Sequence, residues 1–237
     1  MVKMLGLFYS PLSTMETSMD ITFANLHNGL QINADQDKGL GCITSMLDNY
    51  QTKLTYMISA HSKVMQVRFD LHYPDDGSVI PSRQHIYDFN YNLKRKLQRN
   101  KKTGGHPVDP KLLWTEEKSL SLNPHYHYIL LVNGNTKNSY WTLLDEIISP
   151  LWKDTIKSTD NKGLVDYCDK GGPNGLMAIR SSPDFLNQLN QLSYQASYIT
   201  KIKTKNNISK GNWLMGGSRT VPLSSVPMEI LNLDLFG

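Results

Sequence analysis

The sequence predicts an α+β protein: an antiparallel sheet with helices packed on one face and the other face partly open. Three observations predict it. VMQVRFDLHYP alternates apolar and polar residues with period two, residues 112–132 read as two strands joined by a short connection, and segments of helical period lie between and after these strands.

Taken in order, residues 1–44 are rich in Ser, Thr, Asn and Gly with no clear period, and are read as a leader of unknown role. Leu47, Tyr50, Leu54, Met57, Ile58 and His61 then recur at helical spacing, predicting a helix to about Val64. In the first core strand Val67, Phe69, Leu71 and Tyr73 are expected to be buried, with Gln66, Arg68, Asp70 and His72 on a polar face. Ile86, Phe89, Leu93 and Leu97 make the buried stripe of the next helix. Gly104, Gly105, Pro107 and Pro110 mark a loop. Leu112 to Glu117 and Tyr126 to Val132 form the strand pair, with Asn133-Gly134 as the exit turn. Tyr140 to about Trp152 is predicted helical and 160–179 mostly loop. A last helix is expected from Ser182 as N-cap, with Pro183 and Asp184 in its first turn, to about Lys203.

Composition narrows the function class. Net charge is only +4, but residues 1–48 hold five acids against Lys3 and Lys38, so the positive excess lies in the remainder. Lys94, Arg95, Lys96, Arg99, Lys101 and Lys102 fall within nine residues. The span from Phe185 to Met228 has no acid but carries Lys201, Lys203, Lys205, Lys210 and Arg219. One such run is as readily a solvated face as a binding surface; two favour a polyanionic partner, most simply nucleic acid. Cys42 and Cys168 make no CxxC pair, there is no signal-peptide pattern, and no apolar run reaches the roughly 20 residues a membrane span needs. A cytoplasmic protein with no membrane partner is expected.

Chemistry is suggested first by NPHYHYILLV. Residues i and i+2 of a strand share a face, so His125 and His127 point the same way. Two imidazoles alone are a weak metal signal, and a pair of ordinary hydrogen-bonded histidines near a sheet surface is the better explanation of the motif by itself. Glu117, eight residues upstream near the end of the neighbouring strand, can supply a third ligand, while Glu116 faces away. Asp70 and His72 on the first strand are further groups of the same site or its support. A mixed nitrogen and oxygen set with open positions suits Mg²⁺ or Mn²⁺ better than a closed zinc site.

LSYQASYITKIK places Tyr194, Tyr198 and Lys201 in one helical stripe. A tyrosine stripe is usually core, but Phe185, Leu189, Leu192, Ala196 and Ile199 project from the opposite side, which leaves the tyrosines on the polar face. With an ordinary pKa of about 10, a phenol needs a nearby cation or base to act as a nucleophile near neutral pH, and Lys201 is a candidate cation.

HYH on a strand followed by YxxxYxxK on a helix resembles the HUH endonucleases, in their two-tyrosine branch of rolling-circle replication initiators. The wider frame of VRFDLHYP, LLWTEEKSLSLNPHYHYILLVNG, KGLV, LSYQASYITK and MGGSR is similar to the inovirus-type initiators of filamentous phages and prophages. The similarity spans residues 45–221, which would make that span the HUH nuclease domain and 222–237 a tail. The resemblance implies His125, His127 and Glu117 as ligands of a divalent metal, Tyr194 and Tyr198 as nucleophiles and Lys201 beside them. It implies a site-specific nickase and strand-transferase acting on single-stranded DNA at a replication origin, partnered by a host helicase and polymerase, with the active site on the sheet face opposite the helices. Lys94, Arg95, Lys96, Arg99, Lys101, Lys102, Lys205 and Arg219 would hold DNA phosphates. A transposase or relaxase of the same chemistry, and a non-catalytic DNA-binding regulator on this fold, are the alternatives. A zinc-stabilised module is disfavoured because neither cysteine lies near the histidines.

Overall fold

The computed structural model describes residues 20–99, 106–117, 123–137, 139–159, 163–168, 173–202 and 215–218. The elements in chain order are β1 (Ile21–Thr22), β2 (Leu26–His27), β3 (Leu30–Gln31), β4 (Cys42–Ile43), α1 (Thr44–Ala60), β5 (Lys63–Leu71), α2 (Arg83–Arg99), β6 (Lys111–Glu117), β7 (His125–Asn133), α3 (Tyr140–Leu143), α4 (Ser149–Ile156), β8 (Val165–Asp166), β9 (Leu176–Ile179), α5 (Phe185–Ser197) and β10 (Met215–Gly217). No helix among the described residues is long and apolar enough to cross a membrane.

The α+β class and the antiparallel sheet hold. Six strands pair in the order β10-β6-β7-β5-β8, with β9 also on β5, and every pairing is antiparallel. β8 and β9 share one edge of β5 end to end, opposite Asp70–Leu71 and Lys63–Gln66. The expectation of one open sheet face needs correction, because helices cover both. On one face Met65, Val67, Phe69, Leu71, Tyr126, Tyr128, Leu130 and Val132 pack against Phe89 and Leu93 of α2 and Trp152 of α4. On the other, Val64, Leu113, Ile129 and Leu131 pack against Tyr50, Leu54 and Met57 of α1 and Leu189, Leu192 and Ala196 of α5.

Covering the second face is tolerated at Gln66 because its side-chain amide is paired. Gln66 is fully buried; its Oε1 accepts from Tyr50 Oη at 2.7 Å and its Nε2 donates to Leu192 O at 2.9 Å and Gln195 Oε1 at 3.0 Å. A buried amide with its groups satisfied costs little, so period-two polarity did not mean exposure.

Three boundaries differ from the sequence reading. The helix from Tyr140 continues past Trp152 to Ile156, with a π-turn at Leu144–Ile148 just before Pro150, whose missing N–H cannot serve an α-helical bond there. The span read as loop contains β8 and β9. α5 begins three residues after Ser182, whose Oγ accepts from Asp184 N at 3.2 Å, and it ends at Ser197 rather than Lys203. Ser197 Oγ donates to Tyr194 O and Thr200 Oγ1 to Ser197 O, both at 2.8 Å, competing with the α-helical ladder through one 3₁₀ turn, Tyr198–Thr200. The chain then extends, Lys201 bridging Cys42 and Ile202 N donating to Gly41 O at 3.0 Å.

Much of the stretch read as a leader therefore belongs to the fold from Asp20 onward. Asn28-Gly29, both at positive φ, turn the β2–β3 hairpin, and Leu30, Ile32 and Cys42 are buried. Gln31 N donates to Asn190 Oδ1 at 2.9 Å and Asn33 N to Ser197 Oγ at 2.7 Å, fastening the segment along α5. Strands of two residues are too short to show a period.

At the far end of the sheet, Asp109 is ion-paired with Lys111 and lies 3.1 Å from His61 Nε2. Burial pushes its carboxyl pKa up, but these two partners outweigh burial and hold it well below the usual carboxylate range. A depressed folded pKa contributes stability that is present above the unfolded value and lost as pH falls toward the folded one. Asp109→Asn should cost on the order of 1 kcal/mol near neutral pH, after discounting for solvent screening, and much less in acid. Urea unfolding at both pH values measures this as a shallower acid limb in the variant.

Candidate metal centre and tyrosine pair

Three strands deliver the polar cluster. Asp70 of β5 lies opposite His127 of β7, which lies opposite Thr115 of β6; one pleat along, His125 faces Glu117. Alternation puts all of these side chains on the α1/α5 face, and turns Glu116 to the other face opposite Tyr126. His127 Nε2 is 2.7 Å from Glu117 Oε2, and His125 Nε2 is 3.8 Å from the same oxygen. His127 Nδ1 is 2.8 Å from Asp70 Oδ1, close but without the alignment of a full hydrogen bond. The two imidazoles stand perpendicular at 4.9 Å, and His72 stacks on His125 at 5.3 Å.

The two histidines have opposite electrostatics. Burial pushes the His127 pKa down, but Asp70 and Glu117 outweigh it and the net shift is upward. His125 is lowered, by burial first and by its neighbour His127 second. Asp70 is raised by burial, yet His127 and Arg68 hold it below the usual range.

These residues fit a divalent ion. One donor atom each from Glu117, His125 and His127 lie within 4.8 Å of one another. An ion about 2.1 Å from each donor brings neighbouring donors to roughly 3 Å, within the spread seen here. With Asp70 at Nδ1, the Nε2 of His127 is the nitrogen aimed at the cluster, the arrangement in which a carboxylate sets a ligand's tautomer. Asp70 therefore stands behind the cluster rather than in it, and His72 is a stacking neighbour.

Across the groove stands α5. Leu189, Leu192, Ala196 and Ile199 are buried, while Tyr194 is 49% and Tyr198 36% exposed. Tyr198 meets His127 edge-on at 6.1 Å between ring centroids. The Arg68 guanidinium lies 3.9 Å from the Tyr198 ring centroid, and Lys201 Nζ lies 5.3 Å from it. Lys201 is not on the helix, as the spacing implied, but on the extended segment after it, where burial lowers its pKa. Tyr194, one turn earlier, lines a groove of about 590 Å³ with Tyr198, Arg68 and several carboxamides.

Arg68 escaped the sequence reading, although its signal was present. VRFDLHY puts Arg68, Asp70 and His72 on one strand face, and Arg68 Nη2 is 3.8 Å from Asp70 Oδ2. The basic residues do not join this site: Lys94, Arg95, Lys96 and Arg99 are exposed on α2, which packs on the opposite sheet face. Lys101, Lys102, Lys205 and Arg219 lie outside the described residues.

The chain is similar to a protein of Escherichia coli K12 called "Uncharacterized protein YagK", 25% identical over 188 residues, covering 66% of this chain and 86% of the relative. No solved structure matches it. The YagK/YfjJ C-terminal domain family matches residues 24–217, a span that starts in the segment fastened along α5 and takes in both the histidine cluster and the tyrosine pair. The chain belongs to the YagK/YfjJ C-terminal domain family.

Proposed function

We propose that this protein is a site-specific single-strand DNA nickase and strand-transferase of the HUH type, initiating rolling-circle replication in the cytoplasm with a host helicase and polymerase. The observation that carries the reading is the setting of Tyr198, a half-exposed phenol between Arg68 and Lys201 and edge-on to His127 of a histidine and carboxylate cluster. A structural tyrosine would be expected to turn its ring into one of the two cores.

A scissile phosphate bound between the cluster and α5 would lie within reach of the phenol. When bound at Glu117, His125 and His127, Mg²⁺ or Mn²⁺ would supply positive charge against the charge that develops on the phosphate. Tyr198 Oη forms a bond to phosphorus as the P–O3′ bond breaks, and the electron pair of that bond leaves with O3′. The oxygen takes a proton and ends as a 3′-hydroxyl, while the phenolic proton is lost to solvent. Arg68 holds the ring in place, and Lys201 adds a second cation at its edge. The 5′-phosphotyrosine ester conserves the bond energy, so attack by a 3′-hydroxyl reseals a strand without ATP. Tyr194, on the same exposed side of α5, is placed for a second transfer before the first ester is resolved.

Incubation with single strands of its own replicon and Mn²⁺ should give a protein–DNA adduct that survives SDS. Absence of an adduct on every strand sinks the proposal.

The far-face helix has a separable role. Arg95, Lys96 and Arg99 line one exposed hollow with Asn92, too remote from Tyr198 for one phosphate to meet both, so they hold DNA backbone elsewhere along the substrate. Replacing Arg95, Lys96 and Arg99 with Gln should weaken binding of all sequences alike and flatten the salt dependence, by about 0.7–0.9 in log–log slope for each phosphate no longer neutralised. Fluorescence anisotropy across a salt series measures it, and an unchanged slope assigns α2 no DNA role.

A further inference from the structure

We propose that the groove between the 20–43 segment and α5 is a base-reading site for the unpaired nucleotides that flank the scissile phosphate, with Gln31, Asn33 and Gln191 as its reading residues. The inference rests on the nickase reading and adds to it where sequence specificity resides. Its lining includes Gln31, Asn33, Asn190, Gln191, Tyr194 and Arg68, and the wall is continuous with Tyr198. No carboxylate lines it among the described residues, so nothing there repels a nucleic acid.

The carboxamides divide into two sets. Gln195 is engaged with Gln66 and Pro173 O, and Asn190 Oδ1 accepts from Gln31 N, so these two hold the groove together. Gln31 and Gln191 are exposed residues and Asn33 is half-buried, and among the described residues their side-chain amides make no hydrogen bond. A carboxamide presents one donor and one acceptor side by side, which is the two-point pattern that base edges offer. Tyr194 presents an exposed ring on which a base can stack.

Charge argues that the groove specifies rather than anchors. Among the described residues its one guanidinium is committed to the Tyr198 ring, and the exposed cationic hollow is on α2. Among the described residues of the groove wall, a strand whose phosphate reaches Tyr198 therefore meets amides and a second phenol next to it. The 20–43 segment thereby acquires a role, since β3 and the short stretch directly after it supply Gln31 and Asn33 to a wall that α5 alone cannot close.

The test uses the full chain, Mn²⁺ and a pool of randomised single-stranded DNA oligonucleotides, sequencing both the strands bound in filter retention and those captured covalently. Wild type should enrich particular bases at positions flanking the cut. The triple variant Gln31→Ala, Asn33→Ala, Gln191→Ala should lose roughly tenfold in discrimination at one or more of these positions. A melting curve and circular dichroism check that the variant folds. If it does not, Gln191→Glu alone, which adds an exposed charge facing the strand, should weaken retention severalfold. An enrichment pattern identical to wild type, or retention unchanged in Gln191→Glu, overturns the groove assignment. Bound strands with a base preference but no covalent capture would overturn the nickase reading and leave the groove standing, whereas covalent capture without preference would overturn the groove alone.

Discussion

Tyr198→Phe is expected to eliminate the first covalent DNA adduct, lowering initial cleavage by on the order of 10³-fold or more, since it deletes the oxygen proposed to attack phosphorus in the first transfer. The substitution leaves the ring against Arg68 and His127, so stability should change by no more than about 1 kcal/mol. Tyr194→Phe is the informative contrast. Tyr194 stands one turn before Tyr198 on the exposed side of α5, so its loss should spare the first adduct and suppress the second transfer. Gel analysis of adduct and rejoined product separates the steps. Equal loss of the first adduct in both variants would contradict the assignment of order.

His127→Ala should show the largest combined effect, on metal binding and on stability. It removes a donor from the cluster and leaves Asp70, only 8% exposed, without its nearest partner. Manganese affinity, followed by isothermal titration, should fall at least by the roughly 10- to 100-fold that losing a ligand's supporting partner costs. Stability near pH 6 should fall by about 3 kcal/mol, because removing one member of a buried pair leaves the other charge uncompensated. The sign with pH follows from the two shifts. Asp70, with a depressed folded pKa, contributes above its unfolded value of about 3.8; His127, with a raised one, contributes fully below about 6.5 and loses that contribution above it. The gap between wild type and variant should therefore be widest between these limits and narrow on either side. A gap independent of pH would mean that the pair is not ionic.

The sheet and the two sides of α5 were legible because burial imposes period on sequence: Val67, Phe69 and Leu71 on one strand face, Leu189, Leu192 and Ala196 on one helix side. Three things were not. The covered second face was hidden because Gln66 and Asp70 look solvent-facing, and only the tertiary partners Tyr50, Leu192 and His127 make their burial tolerable. The extended path that follows the early end of α5 pairs Lys201 with Cys42, about 160 residues away in the chain, a contact no local pattern encodes. Nor does local pattern tell on which sheet face a basic helix will settle, and α2 settled opposite the tyrosines. For the candidate site, strand alternation brought Glu117, His125 and His127 together from spacing alone. Arg68 was passed over because an arginine on a polar strand face is ordinary until Tyr198, from the turn that ends α5, is laid against it.

The most direct measurement is to digest the SDS-resistant adduct with nuclease and protease and locate the nucleotide remnant by mass spectrometry. A remnant esterified to Tyr198 through its 5′-phosphate, formed only with a divalent ion and absent from Tyr198→Phe, is the predicted result. A remnant on a peptide outside α5 and the turn that follows it, or cleavage that leaves a free 5′-phosphate and no attached protein, would contradict the account.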